Sequence, residues 1–317
     1  MATDPSPLTV ALPVYNGERY LQQALESWVN QTYQPFTLLL LDNASTDDTG
    51  AICRAYARRD ARVRYVRNDT NIGASANFNK AFRLNRSPYF KWASHDDLYA
   101  PDFLRRCMAV LETDPSVVLA YSHVALIDED GEELGDPWVA PSGQFSDDPA
   151  ERFASVLHET TWCFEVFGVI RASALRRSSL MGIYYGSDRV LLTELSLKGA
   201  FHQVPAPLFL RRCHDDQSTS AHMTPRKREH WVSGRRPNGL VFPQRKMVTG
   251  YVKALRDAHH LTLSERLQGA ASLLRLVTRP DKLKRFVVPG PHNYFGIRGR
   301  QHQVPPPDPS VLSSTPS

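Results

Sequence analysis

Cysteine is scarce in this chain of 317 residues. The four cysteines, Cys53, Cys107, Cys163 and Cys213, lie far apart and lack the pair spacing of a zinc site. Small secreted proteins that depend on disulfides carry far more cysteine for their length. The cysteine content therefore favours reduced thiols in a cytoplasmic protein over a disulfide framework.

Long apolar runs are also missing. No uninterrupted run approaches the roughly 20 residues that a helix needs to cross a bilayer. The opening residues, MATDPSPL, lack a basic segment followed by an apolar one, so we expect no secretory signal peptide. These features predict a cytoplasmic protein and leave open peripheral contact with the inner face of a membrane.

The chain has no strong net charge. Its formal charge of +5 suits an anionic substrate or membrane surface but does not indicate a nucleic acid partner. The phosphate-binding fingerprints G-x-x-x-x-G-K-[ST] and G-x-G-x-x-G do not occur, and no nucleic-acid-binding motif is present. Hydrophobic residues make up 42% of the chain, enough for one large α/β domain or two smaller ones.

Apolar runs typical of strands alternate with amphipathic segments typical of helices. Predicted strands span residues 8–12, 36–41, 62–66, 88–93, 117–122 and 201–211. Predicted helices include 18–31, a segment capped by Ser45 or Thr46, one through Phe78, 103–111, 149–158, 171–177 and 187–199. Short loops between the early elements predict right-handed βαβ units. We therefore expect an α/β fold with a single, Rossmann-like, mainly parallel sheet flanked by helices.

Polar clusters follow three of these strands, at residues 13–16, 42–47 and 94–97. Because parallel strands end at the same edge of a sheet, we expect the clusters to lie together. Such convergence favours a ligand site more strongly than any one cluster does.

Asp96 and Asp97 are adjacent carboxylates where a strand ends. Their negative charges repel each other and make burial unfavourable. A divalent cation such as Mg²⁺ or Mn²⁺ would offset this repulsion and could bind substrate phosphates at the same time. A solvated acidic turn that caps the next helix is the alternative. The residues alone leave both interpretations open.

The composition changes after residue 221. Residues 224–246 are rich in Arg and Lys and are expected to form a basic loop. This loop could fold over a diphosphate, touch anionic lipid headgroups or simply be solvated; its basic residues include Arg226, Lys227, Arg228, Arg235 and Arg236. Two helical patterns follow, the second with a capping box from Thr262 to Glu265. Its predicted apolar face comprises Leu263, Leu267, Ala270, Ala271, Leu274 and Val277. Residues 301–317 are expected to be disordered.

Several segments taken together resemble the family-2 inverting glycosyltransferases, which have the GT-A fold. In the nucleotide half they are LTVALPVYNGERYLQQALESWVNQTY, LLLLDNASTDDT, NDTNIGASANFNKAF and KWASHDDLYAPDFL. In the acceptor half they are GVIRASAL, GIYYGSDRVLLTELSLKG and PLFLRRCHDDQS. The likeness covers roughly residues 8–220. It implies a nucleotide-sugar-binding half (1–125), an acceptor-binding half (126–221) and a basic and helical C-terminal extension (222–300).

The resemblance assigns roles to individual residues. It implies that Asp42 accepts hydrogen bonds from the nucleotide base, that Asp96 binds the metal and that Asp188 is the catalytic carboxylate. His214 matches a histidine near the diphosphate and is the second expected metal ligand. The other expected donor-binding residues are Pro13, Tyr15, Asn16, Asn71, Ser94 and Asp97. Ser94 departs from the family pattern, because an aspartate usually stands there, so affinity for the metal is in question.

The implied function is metal-dependent inverting transfer of a sugar, expected to be UDP- or dTDP-linked, to a hydroxyl acceptor. Polysaccharide, glycolipid and natural-product biosynthesis are the expected settings, and a homo-oligomer is one option. Asp188 would be the general base, with helix capping as its alternative role. Glu165 and Glu194 are weaker candidates for the base, and Glu165 is the next one to test. A non-catalytic nucleotide-sugar-binding protein and a sugar nucleotidyltransferase remain as alternative functions.

Overall fold

The computed structural model describes residues 6–160, 162–215, 217, 224–236 and 242–279. The strands are β1 (Leu8–Val14), β2 (Phe36–Asp42), β3 (Val63–Arg67), β4 (Tyr89–Trp92), β5 (Leu98–Tyr99), β6 (Val117–Ile127), β7 (Val169–Arg171) and β8 (Ala200–Arg212). The helices are α1 (Glu18–Val29), α2 (Thr49–Arg59), α3 (Ala74–Arg83), α4 (Phe103–Thr113), α5 (Pro149–His158), α6 (Ala172–Arg176), α7 (Ser187–Ser196), α8 (Pro225–Ser233), α9 (Pro243–Asp257) and α10 (Leu263–Thr278). Short 3₁₀ helices span Ser142–Phe145 and Phe164–Phe167.

The strands form one sheet in the order β3-β2-β1-β4-β7-β6-β8-β5. The pairs among β1 to β4 are parallel, as is the pair of β6 with β8. The pairs that involve β7 or β5 are antiparallel. The α/β fold is therefore confirmed, with a mixed sheet whose parallel pairs lie among β1 to β4 and between β6 and β8.

The sheet is covered on both faces, because side chains alternate across each strand. Leu8, Val10 and Leu12 pack into one apolar cluster with α1 and α4. Ala11 and the equivalent positions of β2 pack into a second cluster on the opposite face. This double burial explains why β2 reads as a continuous apolar run. A third cluster joins α5 and α7 to α9 and α10, which confirms a helical C-terminal extension.

Three local predictions are wrong. Pro13 lies inside β1 rather than after it. The pairing of β1 with β4 ends at Ala11↔Trp92, so the missing N–H of Pro13 removes no hydrogen bond to β4. Helix α2 begins three residues after Thr46, and Ser45 uses its hydroxyl to accept from the N–H of Asn16. The basic segment contains helix α8, for which Thr224 supplies the N-cap.

Helix α10 presents a different face from the one predicted. Its capping box between Thr262 and Glu265 is present. However, Leu263, Leu267 and Leu274 are 61–75% exposed, while Leu273 and Leu276 are buried. Sequence periodicity could not choose between these faces, because leucines occupy both. The packing of α10 against α5 and α9 decides which one is buried.

Candidate functional site

The three polar clusters lie together at one edge of the sheet. Val14 pairs with Asp42 at the ends of β1 and β2, and β4 lies on the other side of β1. Asn16 has a left-handed backbone, with φ of 49°. Its side-chain oxygen accepts from the N–H of Thr46 at 2.9 Å and so ties the two loops together. Tyr15 beside it is 43% exposed, and its ring is free to meet a ligand.

Asp42 is fully buried at the end of β2 and receives several hydrogen bonds. The N–H of Ser45 donates to it at 2.8 Å, the hydroxyl of Tyr65 donates at 2.8 Å, and the Arg67 guanidinium donates as well. Burial alone would raise the pKa of Asp42, but these bonds hold it below the usual range. Asp42 is thus a fixed, ionised carboxylate under the loops.

Asparagine amides organise the loop before α3. Asn43 donates to the side-chain oxygen of Asn71 at 2.9 Å, and the N–H of Gly73 donates to the same oxygen at 2.9 Å. Asn68 donates to both Asn43 and Asn77. These bonds explain the Asn-rich sequence: amides both donate and accept, so they satisfy loop backbone groups that have no ladder partner. Asn71 therefore has a structural role that is compatible with a donor-binding one.

Asp96 and Asp97 occupy different environments although they are neighbours. Nε2 of His214 lies 2.9 Å from Oδ2 of Asp96, and the hydroxyl of Ser94 donates to Asp96. Nη1 of Arg211 donates to Asp97 at 2.9 Å and lies 3.8 Å from Asp96. Strand β8 and the residues after it thus supply Arg211 to both carboxylates and His214 to Asp96. Simple capping of α4 is excluded for this pair, because that helix begins at Phe103 after Asp102.

The two carboxyl groups differ in pKa. Burial would raise the pKa of Asp96, but His95, Arg211 and the hydrogen bonds from His214 and Ser94 hold it far below its usual range. Burial raises the pKa of Asp97 to about 6, although Arg211 opposes the shift. Asp96 therefore stays ionised to lower pH than Asp97 does, and a carboxylate must be ionised to bind a metal.

Arg212 holds the Asp96–Asp97 segment in place. It is fully buried, its N–H donates to Asp97 at 3.0 Å, and its guanidinium donates to the main-chain oxygen of Asp96 at 3.0 Å. The same guanidinium donates to Gln23 and lies over the ring of Tyr20. Neither Arg211 nor Arg212 was singled out in the sequence. The available signal was their position at the end of a strand, separated from His214 by Cys213 alone.

Asp188 lies in the first turn of α7, where Gly186 is the N-cap and has a left-handed backbone. Its Oδ1 accepts from the N–H of Arg189 at 2.8 Å. Because Gly186 occupies the N-cap position, the prediction that Ser187 or Asp188 is the N-cap of this helix is wrong. Burial raises the pKa of Asp188, and Arg189 opposes the shift. Helix α7 packs against α9 in the third apolar cluster through Val190.

The segment before Asp188 is fastened to α3. Asn79 donates to the main-chain oxygen of Met181 at 2.8 Å and accepts from its N–H at 3.0 Å. The hydroxyl of Ser75 donates to the oxygen of Gly182 at 2.9 Å. Because α3 follows the Asn71 loop directly, the Asp188 segment and the asparagine loop share one support.

The Asp96–His214 pair fits a divalent cation. In an octahedral site with bonds of about 2.1 Å, neighbouring ligand atoms lie about 3 Å apart, which the 2.9 Å separation matches. Nδ1 of His214 and Oδ2 of Asp97 are buried without hydrogen-bond partners among the described residues. The described residues hold no cluster of three His, Cys, Asp or Glu side chains for a metal. A cation here would take its other ligands from phosphate oxygens and water.

The fold and the site together define a GT-A glycosyltransferase fold. The chain aligns with the crystal structure of S. aureus TarS 1–349 in complex with UDP at a TM-score of 0.60, with 15% identity over 87% of this chain and 73% of that one. It also aligns with the mannosyltransferase PcManGT from Pyrobaculum calidifontis, in complex with GDP-Man and Mn²⁺, at a TM-score of 0.50, with 16% identity over 87% and 76% of the two chains. These likenesses concern the fold.

The family follows from the sequence match. Residues 9–180 match the model "Glycosyl transferase family 2", so the chain belongs to that family of enzymes. An uncharacterized glycosyltransferase of Methanocaldococcus jannaschii is 32% identical over 129 residues, which are 40% of this chain. The match spans 44% of the length of that relative. Among the described residues, no helix is both long and apolar enough to span a membrane.

Proposed function

We propose that this protein transfers a sugar, with inversion, from a nucleoside diphosphate sugar to a hydroxyl acceptor. The observation that carries the proposal is the pairing of Asp96 with His214 at 2.9 Å, beside strand-end loops that also hold Asp42 and Asn71. Asp188 follows on a segment bound to the same helix, α3. Donor binding and proton removal would then take place on one rigid support.

Two carboxylates have separate tasks in this proposal. A divalent cation, when bound, offsets the negative charge of the leaving diphosphate. Asp96 and His214 would hold that cation, and Ser94 would keep Asp96 oriented. Asp188 takes the proton from the acceptor hydroxyl as it attacks the sugar opposite the leaving group, which inverts the configuration. The strand-end loops hold the donor in line for this attack.

The structural neighbours support a nucleotide-sugar donor. TarS is described with UDP, and PcManGT with GDP-Man and Mn²⁺. For this chain a UDP- or dTDP-linked sugar is the donor we propose. The acceptor hydroxyl belongs to a glycan, a lipid-linked sugar or a small molecule. Peripheral contact with the inner membrane face and assembly into a homo-oligomer are further proposals that follow from the sequence.

Ser94 supports a second candidate function, a non-catalytic nucleotide-sugar-binding protein. The site has one fewer carboxylate than the family pattern, and Arg211 and His214 already partner Asp97 and Asp96. A protein of this kind would bind the donor but show no turnover. A sugar nucleotidyltransferase is disfavoured, because PVYNGERY, the end of β1 and the residues after it, contains no glycine-rich basic loop.

A donor panel tests both functions. We expect a UDP or dTDP sugar, with Mn²⁺ present, to raise the melting temperature because the ligand binds only the folded state. Asp96→Asn should abolish the Mn²⁺-dependent part of this shift and the transfer reaction, while the melting temperature without ligand stays near that of the wild type. Binding without transfer to any acceptor would favour the non-catalytic function. Full activity of Asp96→Asn at ordinary metal concentration would remove Asp96 from the mechanism.

A further inference from the structure

Helix α8 meets the site but has no task in the chemistry above. Its last buried residue, Val232, is 3% exposed, and the helix ends at Gly234, which has a left-handed backbone. The helix packs against α3, the support that the asparagine loop and the Asp188 segment share. A basic segment has thus been brought to the site by apolar packing.

Two glycines let α8 approach the asparagine loop closely. A Cβ added at Gly73 would lie 2.5 Å from the main-chain nitrogen of Gly234. A Cβ added at Gly234 would lie 2.7 Å from the nitrogen of Gly73. Both collisions are with main-chain atoms, which cannot rotate away as a side chain can. The end of α8 is therefore seated directly on the N-terminus of α3.

A second contact holds the middle of α8. Nζ of Lys246, on α9, lies 2.9 Å from Oε1 of Glu229, which is itself buried. The same ammonium donates to the main-chain oxygen of Ile183 at 3.5 Å and lies 5.9 Å from the ring centre of Tyr184. Lys246 of α9 thus links helix α8 to residues 182–186, the segment that precedes Asp188.

Arg228 is the residue before Glu229 on α8. Its guanidinium carbon is 5.1 Å from the ring centre of Tyr185, a stacking distance for an arginine on an aromatic face. Burial raises the pKa of Tyr185 to about 12, while Arg228 and Arg211 lower it and Asp188 raises it. Tyr185 is therefore within electrostatic reach of both the Asp188 carboxylate and the Arg211 side of the Asp96 site.

The charge of the site calls for another cation. A nucleoside diphosphate brings about two to three negative charges to a pocket that already contains Asp96 and Asp97. Arg211 is engaged by Asp97 at 2.9 Å and by Gln217 at 2.7 Å. A guanidinium is suited to diphosphate oxygens, because its planar fork donates to two of them at once.

We propose that Arg228, seated on the ring of Tyr185, binds the diphosphate of the donor and stabilises it as it leaves. This inference rests on the proposed function. The acceptor is the other source of phosphate that could reach Arg228, and the test separates the two. Arg226, two positions earlier on the same helix and exposed, serves as the matched control.

Calorimetry with UDP and UMP, each with Mn²⁺, tests the inference. Arg228→Met should weaken UDP binding about 10- to 100-fold, the effect of a lost charged hydrogen bond, and leave UMP binding nearly unchanged. Arg226→Met should bind both as the wild type does. Tyr185→Ala should weaken UDP binding as Arg228→Met does, while Tyr185→Phe, which keeps the ring, should not.

Other results would overturn the inference. If folded Arg228→Met, checked by its melting temperature, binds UDP like Arg226→Met, then Arg228 does not contact the diphosphate. If its UDP affinity is unchanged but its KM for the acceptor rises, the phosphate it binds belongs to the acceptor. If UDP, dTDP and GDP all fail to bind the wild type, the proposed function fails first and this inference fails with it.

Discussion

Asp188 illustrates how one turn of helix sets the state of a side chain. Gly186 is the N-cap in a left-handed conformation, and the Asp188 carboxylate lies in the first turn, where it accepts from the N–H of Arg189. The N-terminus of α7 favours its charged form, while burial raises its pKa and so favours the neutral one. A base in such a place is stronger than an ordinary aspartate but must still be ionised to accept a proton.

The first prediction concerns Asp188→Asn. Transfer should fall by about 10²–10⁴, the range for loss of a general base, while UDP affinity and melting temperature stay near the wild-type values. Stability should hold because the side-chain oxygen of Asn can still accept from the N–H of Arg189. In the wild type, the rate should fall as pH drops through a value above the ordinary aspartate pKa of 3.8. A steady-state pH profile measures that limb.

A control for Asp188→Asn lies further along the same helix. Glu194 accepts from the N–H of Ser179 at 2.8 Å and pairs with Lys198 at 3.4 Å. Glu194→Gln should therefore affect stability but leave the acidic limb of the rate in place. If Asp188→Asn keeps wild-type turnover per folded molecule, Asp188 is not the base and Glu165 becomes the next residue to test.

At the scale of elements, the contact between α3 and α8 depends on glycine. Gly234 has φ of 69° and would carry its Cβ into the main chain at Gly73. Gly131 has φ of 101° and would meet nothing within 4 Å. Comparing Gly131 with Gly234 separates two effects of adding a side chain. At both positions the new side chain must adopt a backbone with positive φ, but only at Gly234 does its Cβ also collide with neighbouring atoms.

The second prediction compares Gly234→Ala with Gly131→Ala. Gly131→Ala should cost about 1–2 kcal/mol of unfolding free energy, the cost of a left-handed backbone. Gly234→Ala should cost more and should also weaken UDP binding, because α8 and the asparagine loop must separate. Urea unfolding and calorimetry measure the two effects. Equal losses of unfolding free energy in both variants, with unchanged UDP affinity, would show that the contact between Gly73 and Gly234 does not affect nucleotide binding.

Sequence patterns predicted the elements whose own residues show a clear apolar pattern, and missed those that depend on distant contacts. Strand β2 is apolar throughout because both its faces are covered, and the polar residues after it could only lie at the edge of the sheet. Strand β5 has two residues, too few to show a period, and exists because β8 pairs with it. Helix α8 has a weak apolar pattern and is fixed by Gly73, which lies about 160 residues earlier in the chain.

The predicted site residues show the same division. Asp42, Asp96 and His214 were predicted from their positions at strand ends and from the resemblance, and the structure brings Asp96 and His214 together. The roles of Arg211, Arg212 and Arg67 could not be read from the sequence. An arginine at a strand end is usually solvated, and only the tertiary register reveals a buried carboxylate beside it.

At the scale of the whole molecule, buried carboxyl groups make opposite contributions to stability. Asp42 has a lowered pKa, so its contribution is present above the unfolded value of 3.8 and is lost as pH falls through the folded value. Glu165 is fully buried, and burial raises its pKa above the ordinary 4.5. The folded state then holds its proton more tightly, so the wild type loses stability as pH rises through that window.

The final prediction uses one near-isosteric change at each position. Glu165 keeps one oxygen bonded by Gln144 at 2.8 Å and Thr160 at 3.2 Å, and its other oxygen has no hydrogen-bond partner among the described residues. Glu165→Gln keeps the bonded oxygen and removes the ionisable group. Its stability relative to the wild type should therefore rise from about pH 4 to about pH 7.

Asp42→Asn should show the reverse trend. Near neutral pH it should cost about 1–3 kcal/mol, because Arg67 and Tyr65 lose a charged acceptor, and the cost should shrink as pH falls toward about 3. Urea unfolding of both variants across this range, without ligand, gives the two slopes. Parallel slopes would mean that burial, rather than the partners of each carboxyl group, sets its ionisation. Opposite slopes would show that hydrogen bonds keep Asp42 charged in an interior that keeps Glu165 neutral.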